Sequence, residues 1–580
     1  MPSNPTNAAK EQPCVSSTEV LIIGAGPVGL TLANELVRRG VHTRIVEKLP
    51  AIREISKALI LHVRTQEALA KVGIMTAALS EAKPMRQVVV HGYGKHIGNW
   101  DLDRIEGPYS HPLILGQNRT QHLLNGALNQ HGVQVEWNTE ALDMKLDDSD
   151  AILTLRHTEP GSGQVKEEII RAGYVVGCEG SKSLVRKTLG LTFEGERYSG
   201  EQFIQADCKL AWDLPSGRSY LFLTTDGYMM AIEMPNGFAR IFISIPDAVG
   251  TTHPTAGQRE AEKSLGAAED ISAEPTLDEI KSHFERLSGM RVTLSEPVWL
   301  ARYRTSHRYA NRFDGGRAFV AGDSGHVHVP IGGQGMNTGI QDAFNLGWKL
   351  AGVIRAEYQP SLLETYNQER HPVAEGLIKG TDLAYKGILH PSEIKQRAVR
   401  LLGPFLMRTD TAQNFMRNTL EELTIAYPHS PLTEDHGGSG GPQPGERFLD
   451  AHVVLNSDKR TIRLSDLSRG VEWTLLLFTG THQGQHGEAL SSLITQVSHH
   501  CAGLVAAHVV AAHQMGEADY APGTSVLVDA LHEAHAKFGV TAPVIYLIRP
   551  DNYVGYRGPL QTGDELLAYL KRVFNPQRLN

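Results

Sequence analysis

Three glycines near the start of the chain, Gly24, Gly26 and Gly29, have the spacing GxGxxG. The apolar run before them, residues 19–23, is typical of a buried parallel strand, and the residues after them predict a helix that ends at Gly40. The first glycine permits a tight turn, the second lets the backbone approach a pyrophosphate, and the third allows close helix packing. The free N–H groups and partial positive charge of the helix N-terminus would face the phosphates. The stretch therefore predicts a dinucleotide site.

Glu47 ends a second predicted strand after VHTRIV. It lies about 20 positions past the glycines, where a carboxylate accepts hydrogen bonds from the ribose hydroxyls of an adenine nucleotide. Strand, helix, strand and acid are in register, which disfavours a glycine turn without a ligand. The unit serves both FAD and NAD, so the choice between them stays open at this point.

The second glycine-rich stretch is GGRAFVAGDSGHVHVPIGGQGMNTG, residues 315–339. Its predicted strand RAFVA ends at Gly322 and Asp323, and Asp323 can hold a ribityl hydroxyl there. The loop from Pro330 to Asn337 leads into a predicted helix and offers backbone N–H groups to the anionic edge of a flavin. This pattern favours FAD over NAD. A third apolar strand, in residues 172–190, ends at Cys178-Glu179-Gly180 and precedes a basic helix.

These stretches resemble the family of flavoprotein aromatic hydroxylases typified by para-hydroxybenzoate hydroxylase, over residues 19–380. The pattern is closer to the pentachlorophenol monooxygenase and phenol hydroxylase branch, which carries an extra C-terminal domain. The landmarks of that likeness are Ser56-Lys57, HVRT from His62, GQNRTQHLL from Gly116 and LIRPDNYVGYRG from Leu547.

By this resemblance, FAD is the resident cofactor and NAD(P)H is a transient co-substrate. The residues expected to bind the cofactor are Gly24, Gly26, Pro27, Gly29, Glu47, Lys48, Lys57, Gln117, Arg119, Glu179, Gly180, Gly322, Asp323, Pro330, Gly332, Gly333, Gln334, Gly335, Met336 and Asn337. Two positions depart from the family. Glu179 stands where the family has aspartate, which affects the expected NAD(P)H contact, and Leu59 stands where phenol hydroxylase has its acid/base aspartate.

The implied activity is hydroxylation of a phenolic or other aromatic small molecule. Reduced flavin would react with O2 to a C4a-hydroperoxide, which transfers one oxygen atom to an electron-rich ring, while the protein positions the ring and excludes water. Three alternatives stay open: ring-opening or Baeyer–Villiger oxidation of a polycyclic or polyketide substrate, an NAD-dependent dehydrogenase, and a flavin-binding protein without catalysis.

Two residues are candidates for handling the substrate proton. His62 lies in a segment expected to border the flavin, and Tyr303 lies where the substrate sheet returns to the FAD domain. Either could instead be a packing residue. His326 and His328 follow Asp323 closely and are predicted to belong to the cofactor loop.

The composition gives limits on partners and location. The chain has 580 residues and a formal charge of -8, with acidic and basic residues interleaved, so it has no basic stripe for nucleic acid or membranes. The polar start lacks the regions of a secretory signal, and the four cysteines form no CxxC, so we expect a cytoplasmic protein. HQGQH, His482 to His486, is rich in glycine and glutamine, and HEAH, His532 to His535, is one residue short of the HExxH spacing, so no metal site is predicted.

The predicted fold class is α/β with an α+β substrate sheet. A disordered tail, residues 1–18, precedes a Rossmann-like FAD-binding domain formed by residues 19–195 and 306–390. An antiparallel substrate-binding domain, residues 196–305, is inserted between them on the basis of alternating runs such as SYLFLTT, GYMMAIEM and ARIFISI. Residues 391–445 are predicted to be a helical segment and a Gly/Pro/Ser linker. Residues 446–580 alternate strands and helices, and the resemblance implies a thioredoxin-like domain lacking CxxC, and a homodimer.

Overall fold

The computed structural model describes residues 14–147, 149–197, 201–246, 269–270, 274–329, 332–389, 392–482, 486–501, 503–513 and 524–575. Pro330 of the predicted cofactor loop and residues 1–13 of the predicted tail lie outside this part of the chain.

The elements up to residue 197 are β1 (Cys14–Ile23), α1 (Pro27–Val37), β2 (Thr43–Val46), β3 (Ile60–Leu61), α2 (Val63–Val72), α3 (Met75–Glu81), β4 (Lys83–Pro84), β5 (Gln87–Gly92), β6 (Lys95–Asp101), β7 (Leu113–Ile114), α4 (Gln117–Gln130), β8 (Thr139–Leu146), β9 (Ala151–Thr158), β10 (Val165–Gly177), α5 (Leu184–Thr188) and β11 (Phe193–Arg197).

The next elements are β12 (Glu201–Ala211), β13 (Ser219–Thr224), β14 (Gly227–Glu233), β15 (Ala239–Pro246), β16 (Glu269–Asp270), α6 (Leu277–Ser288), β17 (Thr293–Arg304), β18 (Ser306–Ala310), β19 (Asp314–Gly315), β20 (Ala318–Val320), β21 (His326–Val327), α7 (Gln334–Ile354), α8 (Glu364–Leu389), α9 (Glu393–Leu406) and α10 (Asp410–Leu420).

The last elements are β22 (Glu434–Asp435), β23 (His452–Leu455), β24 (Thr461–Arg463), α11 (Leu464–Leu467), β25 (Trp473–Phe478), α12 (Gly487–His500), β26 (Val505–Ala511), β27 (Ser525–Val528), α13 (Glu533–Lys537), β28 (Val544–Ile548), β29 (Val554–Pro559) and α14 (Gly563–Val573).

The first sheet has the order β19-β20-β10-β1-β2, and β20, β10, β1 and β2 are parallel. Long parallel strands buried on both faces explain the apolar runs in the sequence. The carboxyl ends of these four strands lie at one edge, which brings the three predicted motifs and Glu47 together. β1 begins at Cys14, so the predicted tail ends earlier than residue 18. Residues 14–18 pair with residues 168–172 because backbone pairing does not require apolar side chains.

The sheet predicted to bind the substrate, called the substrate sheet below, has eight strands in the order β16-β17-β12-β15-β14-β13-β5-β6. The alternating runs of the sequence form β13, β14 and β15, as predicted. The predicted boundaries were wrong in one respect, because β5 and β6, from residues 87–101, belong to this sheet and not to the FAD domain. β5 pairs in parallel with β13 across about 130 residues of sequence, Val88 opposite Ser219, and no local pattern announces such a pairing.

The two faces of the substrate sheet cover different parts of the molecule. On one face, Ile280, Phe284 and Leu287 of α6 pack against the sheet. On the other, Phe203 and Phe242 of the sheet form an apolar cluster with Leu59, Ile60 and Val329 of the first domain. The sheet therefore roofs the region above the parallel strands.

The C-terminal sheet has the order β22-β29-β28-β25-β26-β27-β23-β24, with β25 parallel to β26 and antiparallel to β28. The predicted strands and helices of this α/β unit are present. The segment predicted to be a linker packs closely against the C-terminal unit: β22 pairs with β29, and a Cβ on Gly441 would lie 2.3 Å from the Phe538 carbonyl oxygen. The glycines here allow close backbone approach rather than flexibility. No helix of the described residues has both the length and the apolar character needed to cross a membrane.

Candidate functional site

The turn after β1 is shaped by two glycines that cannot be replaced without a clash. Gly24 has φ +103°, and a Cβ there would lie 2.5 Å from the Cys178 carbonyl oxygen. A Cβ on Gly29 would lie 2.0 Å from the Gly24 carbonyl oxygen. Gly26, the N-cap of α1, has φ -70° and only open space around its Cβ position. Pro27 follows at the first helical position, as is common in helices, and no side chain caps α1. No side chain of the described residues therefore occupies the free N–H groups at this end.

Glu47 fixes this turn from the end of β2. One carboxylate oxygen accepts a hydrogen bond from the Ala25 N–H at 2.9 Å, and the other accepts from the Leu49 N–H at 3.1 Å. Each oxygen keeps a lone pair for a ribose hydroxyl. Lys48, beside it, is exposed.

The segment before β3 lies next to the start of α4. The Ser56 hydroxyl accepts a hydrogen bond from the Gln117 N–H at 2.7 Å, and the Gln117 side-chain oxygen accepts from the Ala58 N–H at 3.3 Å. Lys57 is exposed. The guanidinium of Arg119 forms a two-fold contact with the Glu81 carboxylate, at 2.8 and 2.9 Å, on the exposed side of α3. Among the expected cofactor residues, Arg119 is thus already paired with a protein carboxylate.

Glu179 and Gly180 connect the end of β10 with the turn after β20. The Glu179 carboxylate accepts hydrogen bonds from the Ser183 hydroxyl, the Val185 N–H and the Ser324 hydroxyl, at 2.8, 3.1 and 3.1 Å. The Gly180 N–H donates to the Ser324 hydroxyl at 2.9 Å. The longer side chain of glutamate therefore holds two loops of the site together.

Asp323 lies in the turn that follows β20, at the carboxyl edge of the first sheet. Its side chain is exposed, and among the described residues no group donates a hydrogen bond to it. The surrounding protein atoms desolvate the carboxyl group and raise the pKa of Asp323, although the charges of His326 and Lys57 lower it. An accessible carboxyl without a protein partner is available to accept from ligand hydroxyls.

Asp342 on α7 is a residue that the sequence analysis missed. It accepts hydrogen bonds from the Gly322 N–H at 3.1 Å, from His326 Nε2 at 2.6 Å and from Arg370 Nε at 2.7 Å. Arg370 also donates to the Thr338 carbonyl at 3.1 Å. This buried group fixes the turn that carries Asp323. An isolated aspartate in an apolar helix gives no local sequence signal.

His62 contacts the glycine-rich loop through its imidazole ring. His62 Nε2 donates to the Gly332 carbonyl at 2.8 Å, and Nδ1 lies 3.1 Å from a carboxylate oxygen of Glu421. The Asn337 side-chain oxygen accepts from the His62 N–H at 2.9 Å, and its amide donates to Ile60 and Gly333 carbonyls. Because both ring nitrogens of His62 face acceptors, the ring carries two protons.

The charge state of this cluster follows from its neighbours. Burial lowers the pKa of His62, but the charge and hydrogen bond of Glu421, the charge of Glu422 and the Gly332 carbonyl outweigh it and raise that pKa to about 9. Burial raises the pKa of Glu422 to about 6 against the charges of His62 and Arg370. Glu421 and Glu422 follow α10 and were not predicted as site residues.

The remaining loop residues surround the start of α7. Gly332 and Gly333 have φ +75° and +69°, and Gln334 donates to the Thr419 carbonyl at 3.3 Å. Met336 is partly buried. A Cβ on Gly335 would lie 3.4 Å from Nε2 of His328.

One ring nitrogen of His328 is buried and receives no hydrogen bond from the described residues. Its Nδ1 donates to the Val329 carbonyl at 2.8 Å, so Nε2 is an acceptor, and it has no partner among the described residues. Burial lowers the pKa of His328 to about 4. Together with the open space at Gly26 and the unpartnered carboxyl of Asp323, this atom fits a bound cofactor that has phosphate, hydroxyl and ring N–H groups.

Tyr303 on β17 packs against the apolar cluster that contains Phe203 and Val329. Its hydroxyl lies 3.0 Å from the side-chain amide of Gln205. Arg240, on β15, pairs with Asp207 at 2.7 Å and donates to the Ser56 carbonyl at 2.6 Å, which joins the sheet to the first domain. The sequence analysis missed Arg240 and Asp207, since each is one polar residue in an apolar strand.

One cluster of the described residues has the groups of a metal site, Glu136, His157 and Glu168. The Arg44 guanidinium lies among them, 2.6 Å from a Glu136 oxygen and 2.8 Å from a Glu168 oxygen. A cation already compensates these carboxylates.

Comparison with known proteins agrees with this geometry. Residues 17–381 match the model of a family described as FAD binding domain. The chain is 30% identical to pentachlorophenol 4-monooxygenase of Sphingobium chlorophenolicum, over 98% of each chain. It is also 30% identical to 6-methylpretetramide 4-monooxygenase of Streptomyces rimosus, over 96% of this chain and 94% of the relative.

Solved structures share the fold. The OxyS anhydrotetracycline hydroxylase from Streptomyces rimosus superposes with a TM-score of 0.72 at 26% identity, over 97% of this chain and 99% of that one. Aklavinone-11 hydroxylase, solved as a ternary complex with FAD and aklavinone, gives 0.70 at 22% identity, over 96% and 98%. The chain therefore belongs to the FAD-binding-domain family of flavin-dependent aromatic monooxygenases.

Proposed function

We propose that this enzyme hydroxylates a phenolic aromatic molecule, with FAD bound at the carboxyl edge of the first sheet, NAD(P)H as reductant and O2 as oxidant. The observation that carries the proposal is the shared position of two features. The glycine turns, Glu47 and Asp323 follow the carboxyl ends of the parallel strands, and the apolar inner face of the substrate sheet packs against Leu59, Ile60 and Val329 of the same domain.

Three features of the chain would hold the FAD. The amide groups at the start of α1, with the open space at Gly26, would receive the pyrophosphate. Glu47 would accept from the ribose, and Asp323 from the ribityl chain. The turn at Gly332, fixed by His62, would meet the flavin ring. When bound, the flavin supplies the activation of O2 with electrons from NAD(P)H.

The substrate wall suits an aromatic ring. Phe203 and Tyr303 stack with centroids 5.9 Å apart, and Phe203 and Phe242 lie 5.4 Å apart, beside the partly buried Met230 and Trp100. Apolar walls exclude water from the reacting atoms. The names of the relatives, pentachlorophenol and anhydrotetracycline enzymes, support an aromatic substrate of one to several rings.

Tyr303 is proposed as the group that holds the substrate oxygen. When the amide of Gln205 is oriented to accept from Arg240 Nε at 3.1 Å, its nitrogen donates to the Tyr303 hydroxyl. The phenol proton of Tyr303 is then free for a ligand. Burial raises the pKa of Tyr303, with opposition from Arg240, so the phenol stays neutral near pH 7 and acts as a donor. His62 is proposed to position the loop, since both of its ring nitrogens are engaged.

The C-terminal unit is proposed to be thioredoxin-like and structural. Arg549 places its guanidinium 2.6 Å from Glu369 on α8 and 2.6 Å from Asp551, and all three side chains are buried. This explains the landmark LIRPDNYVGYRG as a contact between the units. No cysteine pair is available in it for disulfide exchange.

The test is flavin reduction by NADPH without O2, in stopped flow, with and without pentachlorophenol and anhydrotetracycline. The proposal is supported if the protein is yellow and its flavin is reduced much faster with one of these compounds. NMR should then show a hydroxylated product after O2 is admitted. A colourless protein would contradict the FAD site. Reduction that no aromatic accelerates, with O2 turned over only to H2O2, would contradict the hydroxylase. A ring-opened product would identify the alternative oxidation.

Replacement of Tyr303 by phenylalanine tests the role of its hydroxyl. Loss of a hydrogen bond to a charged substrate oxygen costs about 1.5–3 kcal/mol, so kcat/KM should fall roughly 10- to 100-fold. Tyr309→Phe is the matched control, because its hydroxyl bonds to Glu375 at 3.4 Å away from this wall. Equal kcat/KM values and equal product yield per NADPH for the two variants would remove Tyr303 from substrate binding.

A further inference from the structure

A cavity, called the rear cavity below, lies beside the first turn of α7, the helix that follows the glycine-rich loop. It has a volume of about 410 Å³ and is bordered by that turn, by residues 368–377 of α8, and by residues 419–430 at and after the end of α10. This volume lies in the range of about 300–1,000 Å³ that small-molecule sites occupy. None of the residues proposed to contact the substrate lines it, and of the described residues expected to bind the cofactor only Gln334 does.

The walls of this rear cavity are mainly apolar. Val373, Leu377 and Ile425 line it and are only partly buried. Gly376, on α8, also lines it, and a Cβ there would have no atom within 4 Å. A glycine inside a helix costs about 1 kcal/mol relative to alanine, and at this position it keeps the cavity open. The apolar walls suit a hydrocarbon ring.

One end of the rear cavity is polar and negatively charged. The acidic residues that line it are Glu369 and Glu422, and its described lining residues include one histidine, His429, and no lysine or arginine. Glu369 is already compensated by Lys349 and Arg549 at 2.7 and 2.6 Å. Glu422 accepts hydrogen bonds from neutral donors, the Thr338 hydroxyl at 2.8 Å and the Gln341 amide, while His62 and Arg370 act on it through their charges alone.

The backbone at Glu422 is also unusual. Its φ is +59°, a left-handed conformation that costs a non-glycine residue about 1 kcal/mol or more. Such strain is retained where the surrounding structure fixes it, and here it accompanies a buried acid at the end of an apolar cavity. Anions are disfavoured by this end, whereas a cation or a strong hydrogen-bond donor would be attracted.

We propose that the rear cavity binds a protonated monocyclic aromatic amine, with its ring among Val373, Leu377 and Ile425 and its ammonium group toward Glu422. The occupant would contact Gln334 and Thr338, in the helical turn that follows the glycine-rich loop. Binding at this site is independent of the hydroxylation proposed above.

The experiment titrates the holoenzyme with 4-fluorobenzylamine and with 4-fluorobenzyl alcohol near pH 8, followed by fluorine NMR. The amine should bind saturably, with a Kd below about 10 mM, and at least about tenfold more tightly than the alcohol, a factor worth about 1.4 kcal/mol. Gly376→Leu should fill the cavity and weaken amine binding at least about tenfold. Gly380→Leu is the control, since it lies one turn later on α8, has equal open space, and does not line the cavity.

Three results would overturn the proposal: no saturable binding by the wild type, equal affinity for amine and alcohol, or equal affinity of the two leucine variants. The last would put the amine elsewhere, such as the substrate pocket. Glu422→Gln should reduce the amine to the affinity of the alcohol. Where that variant fails to fold, the wild type is titrated at lower pH.

The low-pH titration uses the titration of Glu422 itself. The charges of His62 at the start of α2, Arg370 on α8 and Glu421 after α10 act on Glu422, whose pKa is about 6, and His429 lines the same cavity. The preference for the amine should therefore disappear between about pH 7 and pH 5, where the carboxylate gains a proton while benzylamines stay charged. A preference that persists to pH 5 would contradict the role of Glu422.

Discussion

The pair of His62 and Glu421 should make the stability of the protein depend on pH in a defined window. The pKa of His62 rises from an ordinary 6.5 to about 9 in the folded protein. A base whose pKa is raised by folding contributes stability fully below its unfolded pKa and loses it as pH rises through the folded pKa. The contribution of His62 should thus be complete below about pH 6.5 and absent above about pH 9.

The size of this contribution to stability follows from the rise in the pKa of His62 on folding. At about 1.4 kcal/mol per pH unit, a rise from 6.5 to about 9 corresponds to about 3 kcal/mol. Lys71 and Lys349 titrate in part of the same window with the opposite sign, because burial lowers their pKa values to about 7 and about 8. Wild type and a His62 variant share both lysines, so the difference between them isolates His62.

The assay is urea unfolding of holoenzyme, followed by circular dichroism and flavin release, for wild type and His62→Gln at about pH 6 and pH 9.5. The free energy of unfolding should favour the wild type by about 3 kcal/mol more at the lower pH. In a Glu421→Gln background this pH dependence should nearly vanish, since that carboxylate is the hydrogen-bonding partner of the ring. His131→Gln, at an exposed helix end, is the control.

The reasoning would be refuted if the difference in unfolding free energy between wild type and His62→Gln stayed constant over this pH range. Constant here means within about 0.5 kcal/mol, the margin to which independent sites add. A dependence of full size in the Glu421→Gln background would refute it equally, because the pairing would then not be its source.

Three further predictions concern the cofactor turn and the contact between the units. Gly26→Ala should leave the unfolding of the apoprotein unchanged but weaken FAD binding, whereas Gly29→Ala, whose Cβ would lie 2.0 Å from a carbonyl oxygen, should destabilise the apoprotein itself; equal unfolding temperatures for both would count against this. Asp323→Ala should purify folded but largely without flavin absorbance, and a full flavin content would exclude its cofactor role. Arg549→Met, which leaves the buried Asp551 without its arginine partner and Glu369 with Lys349 alone, should cost about 3–5 kcal/mol of stability, and the exposed control Arg460→Met less than about 1 kcal/mol, both measured by urea unfolding.

The parts of the site that could be predicted are those with local sequence patterns. The strand, the glycine spacing and the helix from residue 19 to Gly40 follow directly from the steric and hydrogen-bonding needs of one turn. The same holds for Asp323 after an apolar strand and for the alternating strands of the substrate sheet. Each signal lies within one short window, and the pairing of parallel strands then brings the windows to a common edge.

The residues that hold the site in place lie far apart in the sequence, so no short stretch of sequence predicts their contacts. Glu421 meets His62 across 359 residues of sequence, and Asp342 holds Gly322 and Arg370 from the middle of an apolar helix. Their partners are set by tertiary packing, and a buried charge is tolerated only where a partner compensates it. The sequence could therefore name the loop that meets the cofactor, but not the residues that fix it. The pH dependence predicted for His62 arises from this second group, because it needs a carboxylate that the fold alone places beside the ring.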